Sequence, residues 1–371
     1  MRLTIDKPNL AKALAHVASV VERRNTIPIL SNVLLSADAD ALKLTATDLD
    51  IELVETVACA TEGHVAITVP AHMFYDIVRK LPEGDIELTR DAEQERFVIT
   101  SGPAQFSLQT LPADDFPALS VEDLGHAFKL SAPDLKRLLE KTRFAISTEE
   151  TRYYLNGIYL HEVEEDGKPT LRAVATDGHR LAQLDLPLPS GAKGMPGVIV
   201  PRKTVLELSK LVEDEDGEVS IELSESKIRV SAGRVVLTSK LIDGTFPDYE
   251  RVIPQGNDKR LEVDNDTFAQ AVDRVSTLSS DKGRAVKLAL DKGKLTLSVN
   301  NPESGSATEE LPVEYGHEPL EIGFNARYLL DISSQLEGDT AEFYLADPGS
   351  PTMVRDAKDP SALYVLMPMR V

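Results

Sequence analysis

One local pattern is found three times in the chain, as LTIDKPNLAKAL (3–14), FKLSAPDLKRLL (128–139) and LEVDNDTFAQAV (261–272). Each copy starts with alternating polar and apolar residues, passes through Asp or Ser, and continues with apolar residues three and four positions apart. Alternation predicts a β-strand, and the wider spacing predicts an amphipathic helix that begins after the short polar side chain. The chain therefore repeats a strand–helix unit.

Three more markers follow in the same order in each copy. The first is LKLTATD (42–48), LRAVATD (171–177) and LTLSVNN (295–301). The second is a strand running into a helix, TVPAHMFYDIVRKL (68–81), IVPRKTVLELSKLV (199–212) and GFNARYLLDISSQL (323–336). The last is FSLQTLPADDFP (106–117), VLTSKLIDGTFP (236–247) and ALYVLMPM (362–369). Four markers in one order indicate a threefold repeat rather than chance similarity among helices. We expect domains at residues 1–124, 125–256 and 257–371.

Each domain is expected to hold two helices and several short strands, which is an α+β fold. The helices are predicted at residues 7–24, 71–81, 132–147, 201–213, 264–280 and 325–337. These segments together carry a small net positive charge although the whole chain carries −21, so the acidic residues lie on the predicted strands and loops. If the helices share one surface, that surface can accept a polyanion. Because the helices of the third domain are acidic, ordinary solvated helix faces remain an equal alternative.

The composition limits the class of protein. Apolar residues make up 42% of the chain without an apolar run typical of a membrane span, so we expect packed cores and no transmembrane helix. The N-terminus MRLTIDKPNL lacks the apolar segment of a signal peptide. The single cysteine, Cys59, can form neither an internal disulfide nor a cysteine-based zinc site. These features predict a cytoplasmic protein.

An enzyme is the main competing class. Neither GxGxxG nor GxxxxGKS/T occurs, and the histidines show no HExxH or HxH spacing. The candidate catalytic residues are His179 beside Asp177, and Asp48 with Asp50. Because Asp48 and Asp177 occupy matching repeat positions, a turn role is favoured for both, and a structural or peptide-contacting role for His179. We therefore expect no catalytic residue, no metal site and no cofactor.

The sequence resembles one known family along its whole length. The matching stretches are TIPILSNVLL (26–35), TDLDIEL (47–53), RYYLNGIYL (152–160), VATDGHRLA (174–182), VIVPRKTV (198–205), SKLIDGTFPDYERV (239–252) and YVLMPMR (364–370). Together they resemble the bacterial sliding clamp, the beta subunit of the replicative DNA polymerase III. The resemblance implies a DNA-clamp fold of three repeated domains, each with two packed antiparallel sheets and two helices. Two chains would pair head to tail in a six-domain ring, with the helices lining its hole.

Such a ring implies a particular set of partners. It would form a homodimer, encircle duplex DNA without reading its sequence, and give processivity by tethering the replicative polymerase alpha subunit. The clamp loader and other polymerases and repair proteins would bind through short clamp-binding peptides. The competing interpretation is a repeat scaffold that never binds DNA. Retention on circular DNA and loss from linear DNA distinguish the two.

The resemblance implies DNA contacts at basic and aromatic residues, namely Arg24, Arg152, Tyr153, Tyr154, Arg202, Lys203, Arg251 and Arg284. Arg24 ends the first predicted helix. Arg152 and the two tyrosines are expected on a loop, where guanidinium and phenol groups can touch phosphate or an unpaired base. Packing against a neighbouring domain is the alternative, and it is stronger for Tyr154 than for Tyr153. Glu149 precedes this loop, where a neutral residue would suit DNA better.

The resemblance also implies a groove for partner peptides between the second and third domains. Its residues are Leu155, Thr176, Gly178, His179, Arg180, Leu181, Pro247, Val252, Val365, Met367, Pro368, Met369 and Arg370. Methionine is flexible and polarizable, so Met367 and Met369 suit a surface that accepts several extended segments with leucine or phenylalanine anchors. The alternative is that the end of the chain only completes the last strand and its core.

A dimer seam is the third implied surface. It involves Phe106 and Leu108 on a strand of the first domain, and Thr277 and Leu278 on a helix of the third. Phe106 follows a Gly-Pro pair, which favours a sheet edge open to pairing across chains over a buried core position. His72 and Met73 stand where other family members pair basic and acidic side chains, so an ionic contribution is not expected at that point.

Overall fold

The computed structural model describes residues 2–38, 40–91, 95–119, 124–213, 215–279 and 284–371. Short strands make up most of its secondary structure. They are β1 Arg2–Asp6, β2 Asn32–Asp38, β3 Ala41–Thr47, β4 Ile51–Ala58, β5 Ala60–Glu62, β6 Val65–Pro70, β7 Asp85–Asp91, β8 Arg96–Ser101, β9 Ala104–Gln109, β10 His126–Ser131, β11 Gly157–Glu165, β12 Lys168–Thr176, β13 Arg180–Pro187, β14 Val198–Pro201, β15 Glu218–Leu223, β16 Lys227–Ala232, β17 Val235–Lys240, β18 Lys259–Asp264, β19 Ala285–Asp291, β20 Lys294–Asn301, β21 Gly305–Pro312, β22 Glu314–Tyr315, β23 Leu320–Asn325, β24 Thr340–Leu345, β25 Thr352–Asp356 and β26 Ala362–Leu366.

Each of the six predicted helices is present and is shorter than predicted. The helices are α1 Lys7–Val20, α2 Ala71–Lys80, α3 Ala132–Arg143, α4 Arg202–Leu211, α5 Asn265–Ser276 and α6 Ala326–Ser333. Helix α1 stops because Val21 is extended, with φ −74° and ψ 119°, and two successive β-branched valines disfavour another turn. The prediction that Arg24 ends this helix is wrong, because Arg24 lies in the loop that follows.

A short polar side chain caps the first helix of each repeat, as the sequence pattern predicts. Asp6 accepts a hydrogen bond from the amide of Asn9 (3.4 Å), and Ser131 accepts one from the amide of Asp134 (3.1 Å). Asp264 accepts one from the amide of Thr267 (2.8 Å). Each cap satisfies an amide at the helix N-terminus that has no partner within the helix.

The chain divides into two compact units, of which the first comprises residues 1–135, 189–195 and 203–241. Its sheets have the strand orders β5-β1-β7-β8-β9 and β10-β15-β16-β17-β4-β3-β2-β6. Helix α1 buries Leu10, Leu14 and Val17 and packs on α2, β3 and β4. This is the apolar stripe that the sequence predicts, and each fully buried aliphatic side chain contributes roughly 1.5–3 kcal/mol.

The second unit comprises residues 136–188, 196–202 and 242–371. It contains a nine-stranded sheet, β14-β11-β12-β13-β26-β25-β24-β18-β22, and a four-stranded sheet, β21-β20-β19-β23. Helix α5 packs on α6, β20 and β21 and buries Phe268, whose ring meets Phe343 edge-on at a centroid distance of 5.2 Å. The core of this unit therefore lies between its helices and its sheets.

Strand β13 lies between β12 and β26 and carries Arg180 and Leu181 of the predicted groove. In the β13–β26 ladder, Arg180 faces Leu366 and Leu181 faces Val365. The pairing is antiparallel here and in every other ladder of the described ranges, which agrees with the expected α+β class. Within those ranges no helix combines the length and the apolar character that crossing a membrane requires.

Candidate functional site

A tight turn joins β12 to β13 and carries several residues of the predicted groove. Thr176 donates a side-chain hydrogen bond to the carbonyl of Arg180 (2.7 Å) and accepts one from the amide of Gly178 (3.1 Å). The Asp177 carboxylate accepts from the amides of His179 (2.9 Å) and Arg180 (3.1 Å). Gly178 has φ +87°, a left-handed conformation that glycine adopts without a Cβ clash. Asp177 therefore stabilises a turn.

A buried apolar cluster lies beside this turn. Its members are Leu155, Val174, Leu181, Ile199, Phe246, Tyr249 and Val365, with Tyr154, Tyr159, Ile242 and Ile253 packed against it. Of the predicted groove residues, Leu155, Leu181 and Val365 are buried and can form only the floor. Pro247 directly follows Phe246 of the cluster, and Val252 lies three residues after Tyr249. Both are exposed, Val252 to 44%, so they can form a wall of the groove.

The end of the chain is hydrogen-bonded to this turn and to β23. The amide of Met367 donates to the carbonyl of His179 (2.9 Å), and the amide of Met369 donates to the carbonyl of Gly323 (2.8 Å). Met367 and Arg370 are exposed, whereas Pro368 and Met369 are half-buried. Strand β26 ends at Leu366 and all five of its residues, Val365 among them, are buried, whereas the two methionines lie beyond the strand.

Arg180 is buried like Leu155, Leu181 and Val365, but it is charged, and each of its three guanidinium nitrogens donates a hydrogen bond. Its guanidinium donates to the Asp177 carboxylate (3.1 Å), the Phe144 carbonyl (2.7 Å) and Asp331 on α6. The rings of Tyr328 and Phe144 lie 4.3 and 5.2 Å from its Cζ atom. A side chain held in this way positions the turn and has little freedom to reach a ligand. His179, by contrast, is exposed and stacks on Tyr328 at a centroid distance of 6.4 Å.

The first repeat contains a hydrogen-bonded copy of the same turn. Thr47 donates to the carbonyl of Ile51 (2.8 Å) and accepts from the amide of Leu49 (3.0 Å), and Asp48 accepts from the amides of Asp50 (2.9 Å) and Ile51 (2.7 Å). The amide of Lys240 donates to the carbonyl of Asp50 (2.8 Å), as Met367 does to His179. Asp48 therefore has the same turn role as Asp177.

The lining beside this first turn is polar. Glu52 and Thr238 face each other across β4 and β17, where the second repeat pairs Leu181 with Val365. Thr45 occupies the position of Val174 in the matching LKLTATD and LRAVATD stretches. Carboxylate and hydroxyl groups do not provide the apolar floor that leucine and phenylalanine anchors require. Of these two turns, only the second has an apolar floor.

The residues expected to hold DNA near position 150 lie on a 3₁₀ segment, Glu150–Leu155. The Glu149 carboxylate accepts hydrogen bonds from the Nε (2.9 Å) and Nη2 (2.6 Å) atoms of Arg152. These bonds lower the pKa of Glu149. Tyr153 is exposed, whereas Tyr154 packs against the buried cluster. Tyr154 therefore packs mainly against its own repeat, and not against a neighbouring domain as the alternative had it, whereas Tyr153 is accessible to a ligand.

Lys203 is the most strongly engaged of the predicted DNA contacts. Its ammonium group donates to Asp48 (2.6 Å), to Glu22 and to the carbonyl of Val20 (3.2 Å). Burial alone would raise the pKa of Asp48, but hydrogen bonds from Lys203 and two backbone amides outweigh it and lower that pKa below its usual value. Lys203 therefore acts as a structural ion-pair partner in this structure.

The other predicted DNA contacts are exposed. Arg251 pairs with Asp248 at 2.6 Å but keeps most of its side chain in solvent. Within the described part of the chain, no carboxylate lies in ion-pair range of Arg24, Arg202 or Arg284. Arg24, Arg202, Arg251 and Arg284 can therefore contact phosphate without first breaking an ion pair with a buried carboxylate.

Phe106 of the predicted dimer seam lies on β9, the edge strand of the five-stranded sheet, and is 39% exposed. It lines a cavity of about 520 Å³ with His72, Met73 and other residues of α2 and the loop after it. The buried-core alternative for Phe106 is therefore wrong. Leu108 is only 6% exposed and belongs to the sheet core.

The other predicted side of the seam needs a correction. Helix α5 ends at Ser276, so Thr277 and Leu278 do not lie on it. Thr277 is the C-cap residue, and its amide donates to the carbonyl of Arg274 (3.3 Å). Thr277 is exposed and Leu278 is half-buried, so both remain accessible.

Several residues of this site were missed by the sequence prediction. Phe246 and Tyr249 complete the buried cluster, and Asp331 and Tyr328 hold Arg180. Phe246 and Tyr249 lie within the SKLIDGTFPDYERV stretch, so large aromatic residues beside the predicted Pro247 and Val252 were an available signal. Nothing local marks Asp331, because its partner is 151 positions away in sequence.

Models of the DNA polymerase III beta subunit match the chain in three consecutive stretches. The N-terminal domain matches residues 1–120, the central domain 129–248 and the C-terminal domain 250–370. A beta sliding clamp from Caulobacter vibrioides is 56% identical over 372 residues, with 100% of both chains covered. One from Escherichia coli is 41% identical over 374 residues, also with 100% of both covered.

Solved structures give the same result. The sliding clamp of Bartonella birtlesii bound to griselimycin matches with a TM-score of 0.97 at 58% identity, covering 100% of both chains. That of Pseudomonas aeruginosa bound to griselimycin matches with a TM-score of 0.95 at 43% identity, again covering 100% of both.

The antiparallel sheets, the repeated strand–helix units and these full-length matches define a protein of the DNA-clamp fold. Each of its three repeats combines two helices with packed antiparallel sheets. The chain belongs to the DNA polymerase III beta subunit family, the bacterial beta sliding clamps.

Proposed function

We propose that this chain is a DNA sliding clamp, in which two copies close into a six-domain ring around duplex DNA. The ring tethers the replicative polymerase and thereby gives processivity in DNA replication. The observation that carries this function is the match to a beta sliding clamp at 56% identity over the whole of both chains. The chain is a non-catalytic processivity factor, and its Asp48 and Asp177 serve as turn residues.

DNA binding by the ring is independent of sequence, because arginine and lysine contact phosphates and leave the base edges unread. The exposed arginines Arg24, Arg202, Arg251 and Arg284, together with Tyr153, are the proposed main contacts. Arg152 and Lys203 are proposed as contacts that must first leave Glu149 and Asp48. Binding should weaken as salt is raised, since each phosphate contact releases counterions.

The groove beside the Asp177 turn is proposed as the site where partners attach. Its apolar floor and the exposed Met367 and Val252 suit short extended segments with leucine or phenylalanine anchors. The polymerase alpha subunit, the clamp loader and other polymerases and repair proteins are the proposed partners. A Caulobacter crescentus clamp solved with PEG at a putative beta-motif tethering region supports such a site by similarity.

Three further points stay proposals of the same kind. The domains are proposed at residues 1–124, 125–256 and 257–371, which the three family matches support. The protein is proposed to act in the cytoplasm, where bacterial replication takes place. The dimer seam is proposed at the strand of Phe106 and Leu108, with Phe106 as its exposed apolar residue, and at Thr277 and Leu278 after α5, with no cofactor or metal required.

Topological retention on DNA tests the ring. After loading onto nicked circular DNA, the protein should stay bound through gel filtration at high salt and should be lost when a restriction enzyme linearises the circle. A repeat scaffold would show no difference between circular and linear DNA. Retention on linear DNA, or binding with a strong preference for one duplex sequence, would count against a sliding ring.

Deletion of residues 367–371 tests the groove separately. The truncated chain should keep the mass of a dimer and its retention on circular DNA, but it should lose polymerase and clamp-loader binding. Because β26 ends at Leu366, the deletion leaves the ladders of the nine-stranded sheet intact and removes only the bonds of Met367 to His179 and of Met369 to Gly323 from the backbone bonds described above. Long processive synthesis with the truncated protein would show that partners attach elsewhere.

A further inference from the structure

A row of polar side chains crosses the nine-stranded sheet beside the groove. His161 on β11 faces Arg172 on β12, and Arg172 in turn faces Asp185 on β13. Arg172 is only 3% exposed, which is rare for an arginine and requires partners for its charge. The three residues therefore form one network on one face of the sheet, with Arg172 buried at its centre and His161 and Asp185 half-buried.

Arg172 finds those partners on several elements. Its guanidinium donates to both oxygens of Asp185 (2.7 and 2.8 Å) and to Glu165 (2.6 Å). Its Nη1 atom lies 3.4 Å from the Tyr249 hydroxyl and 3.7 Å from Glu250. Arg172 thus joins the middle of the sheet to the 3₁₀ segment Tyr249–Val252, which has no strand ladder of its own.

That 3₁₀ segment carries one wall of the groove. Tyr249 is buried in the apolar cluster, and Val252, at the other end of the same segment, is exposed beside it. His161 and Phe246 meet the Tyr249 ring edge-on at centroid distances of 5.8 and 6.3 Å. Tyr159 in turn stacks on both His161 (4.4 Å) and Phe246 (4.8 Å). The hydroxyl of Tyr249 is therefore the point at which the sheet can hold this wall.

The hydrogen atoms of the network can be assigned from its acceptors. His161 places Nδ1 3.1 Å from the carbonyl of Glu162 and Nε2 3.0 Å from the Tyr249 hydroxyl. A carbonyl can only accept, so Nδ1 carries the proton and Nε2 accepts from Tyr249. The Tyr249 oxygen then accepts from Arg172. A neutral His161 completes this chain. A second ring proton would make Nε2 a donor, so the Tyr249 oxygen would have to accept from both Nε2 and Arg172 while its own proton lost its acceptor.

We propose that Arg172 and His161 are positioning residues for the partner groove, which they hold in shape through the Tyr249 hydroxyl. They fix the Tyr249–Val252 wall against the sheet, and protonation of His161 releases it. This proposal rests on the peptide groove proposed above. It explains how the Tyr249–Val252 wall of that groove is held in place before a peptide binds. Because the wall is fixed before a peptide arrives, the peptide does not bear the entropy cost of ordering it.

The surroundings of His161 set the direction of its response to pH. Burial lowers the pKa of His161 below its usual value; the Glu162 backbone bond and Asp185 raise it, and Arg172 lowers it further. The titratable and charged groups around the ring are Tyr159, Glu162, Arg172, Asp185, Tyr249 and Glu250. His161 is therefore neutral near pH 7, and peptide binding should weaken only as the pH falls below the usual histidine range near 6.5.

The test uses the full-length protein and an acetylated, amidated, fluorescein-labelled hexapeptide with one leucine, one phenylalanine and no charged side chain. Tyr249→Phe removes only the hydroxyl and should weaken binding by about three- to tenfold at pH 8, the effect of losing one hydrogen bond. Wild-type affinity should fall between pH 8 and pH 5, and this fall should be absent in Tyr249→Phe. His161→Gln can still accept from Tyr249, so it should bind like wild type at pH 8 and stay constant down to pH 5.

A matched control separates positioning from loss of stability. Tyr315 is buried to the same degree as Tyr249 and donates its hydroxyl to the carbonyl of Glu318 (2.7 Å), away from the groove. Tyr315→Phe should lower the thermal midpoint about as much as Tyr249→Phe but leave peptide affinity and its pH profile unchanged. Wild-type affinity and pH profile in Tyr249→Phe would overturn the inference. If deletion of residues 367–371 leaves peptide binding intact, the groove itself is misplaced and the inference fails with it.

Discussion

Glu149 forms an ion pair with Arg152, one of the proposed DNA contacts. Both carboxylate oxygens accept from Arg152, at 2.9 and 2.6 Å, so phosphate must compete with an existing bidentate pair. We expect Glu149→Gln to raise affinity for a duplex by about two- to fivefold at low salt, because it replaces the bidentate ion pair that holds Arg152 and removes one negative charge, while the bond from Arg152 to the Asp177 carbonyl stays. Fluorescence anisotropy with a labelled duplex at several salt concentrations measures the effect.

Glu150 offers the control for this prediction. It is the neighbouring exposed carboxylate, and Arg152 is bonded to Glu149 instead. Glu150→Gln changes the net charge equally without freeing Arg152, so its effect on affinity should be smaller. Equal gains in the two variants would mean that overall charge, and not the Arg152 pair, controls the contact.

Asp48 links stability to pH at the first-repeat turn. Burial opposes its charge, yet Lys203 and the amides of Ile51 and Asp50 lower its pKa below the usual 3.8. A carboxyl group with a lowered pKa in the folded state stabilises the fold above its unfolded pKa, and this contribution is lost as the pH falls through the lower, folded value. Asp48→Asn should therefore cost about 1.5–3 kcal/mol at pH 7, the range for hydrogen bonds to a charged group.

Urea unfolding of the wild type and of Asp48→Asn, compared between pH 7 and pH 3, checks this sign. The difference in unfolding midpoint should be constant from pH 7 to about pH 5 and should narrow at lower pH. Asp50→Asn is the control, because the Asp50 side chain is exposed and forms a surface ion pair with Lys240. A difference that widens as the pH falls would contradict the assignment.

At the scale of elements, the capped helices give the most direct prediction. Asp264 caps α5 with a 2.8 Å bond to the amide of Thr267 and a second bond to its hydroxyl. Asp264→Ala should lower stability by about 1 kcal/mol, the usual cost of losing an N-cap side chain. Hydrogen exchange of the α5 amides and the thermal midpoint both report this loss.

Asp266 provides a matched substitution in the same first turn. It contributes an acidic charge near the helix N-terminus without being the capping residue. Asp266→Ala should therefore cost only the smaller charge–dipole interaction, a few tenths of a kcal/mol. If both variants lose the same stability, the cap bond makes no separate contribution.

At the scale of the whole molecule, the structure favours Phe106 over Leu108 as the position to substitute in a test of dimer formation. Leu108 is buried in its own sheet, so a charge there would damage the fold before it reached a partner. Phe106 is exposed on the edge strand, and Phe106→Glu should give folded monomers of 40.6 kDa. Sedimentation equilibrium measures the mass, and loss of retention on circular DNA should accompany it.

Leu206 is a suitable control for this experiment. It is an exposed apolar residue on α4, 40% exposed against 39% for Phe106, and it lies outside the proposed seam. Leu206→Glu should leave the dimer intact. A dimeric Phe106→Glu protein would place the seam elsewhere on the molecule.

The sequence by itself determined the threefold repeat, the six helices and the caps that begin them. Periodicity and capping act over three or four residues, so the residues that decide them are neighbours in the chain. The same local logic identified the turn roles of Asp48 and Asp177. It failed at the ends of α1 and α5, where the chain leaves the helix before the charged or polar residues that follow.

Only the tertiary structure decided which charged side chains are free to act. Lys203 and Asp48 are 155 positions apart, and Arg172 and Tyr249 are 77 apart, so no sequence spacing predicts their contact. Arginine is exposed at position 24 and buried at position 180. Folding packs carboxylates and aromatic rings around Arg180, whereas it leaves Arg24 in solvent. Ion pairs and burial depend on distances across the fold, and those exist only once the chain has folded.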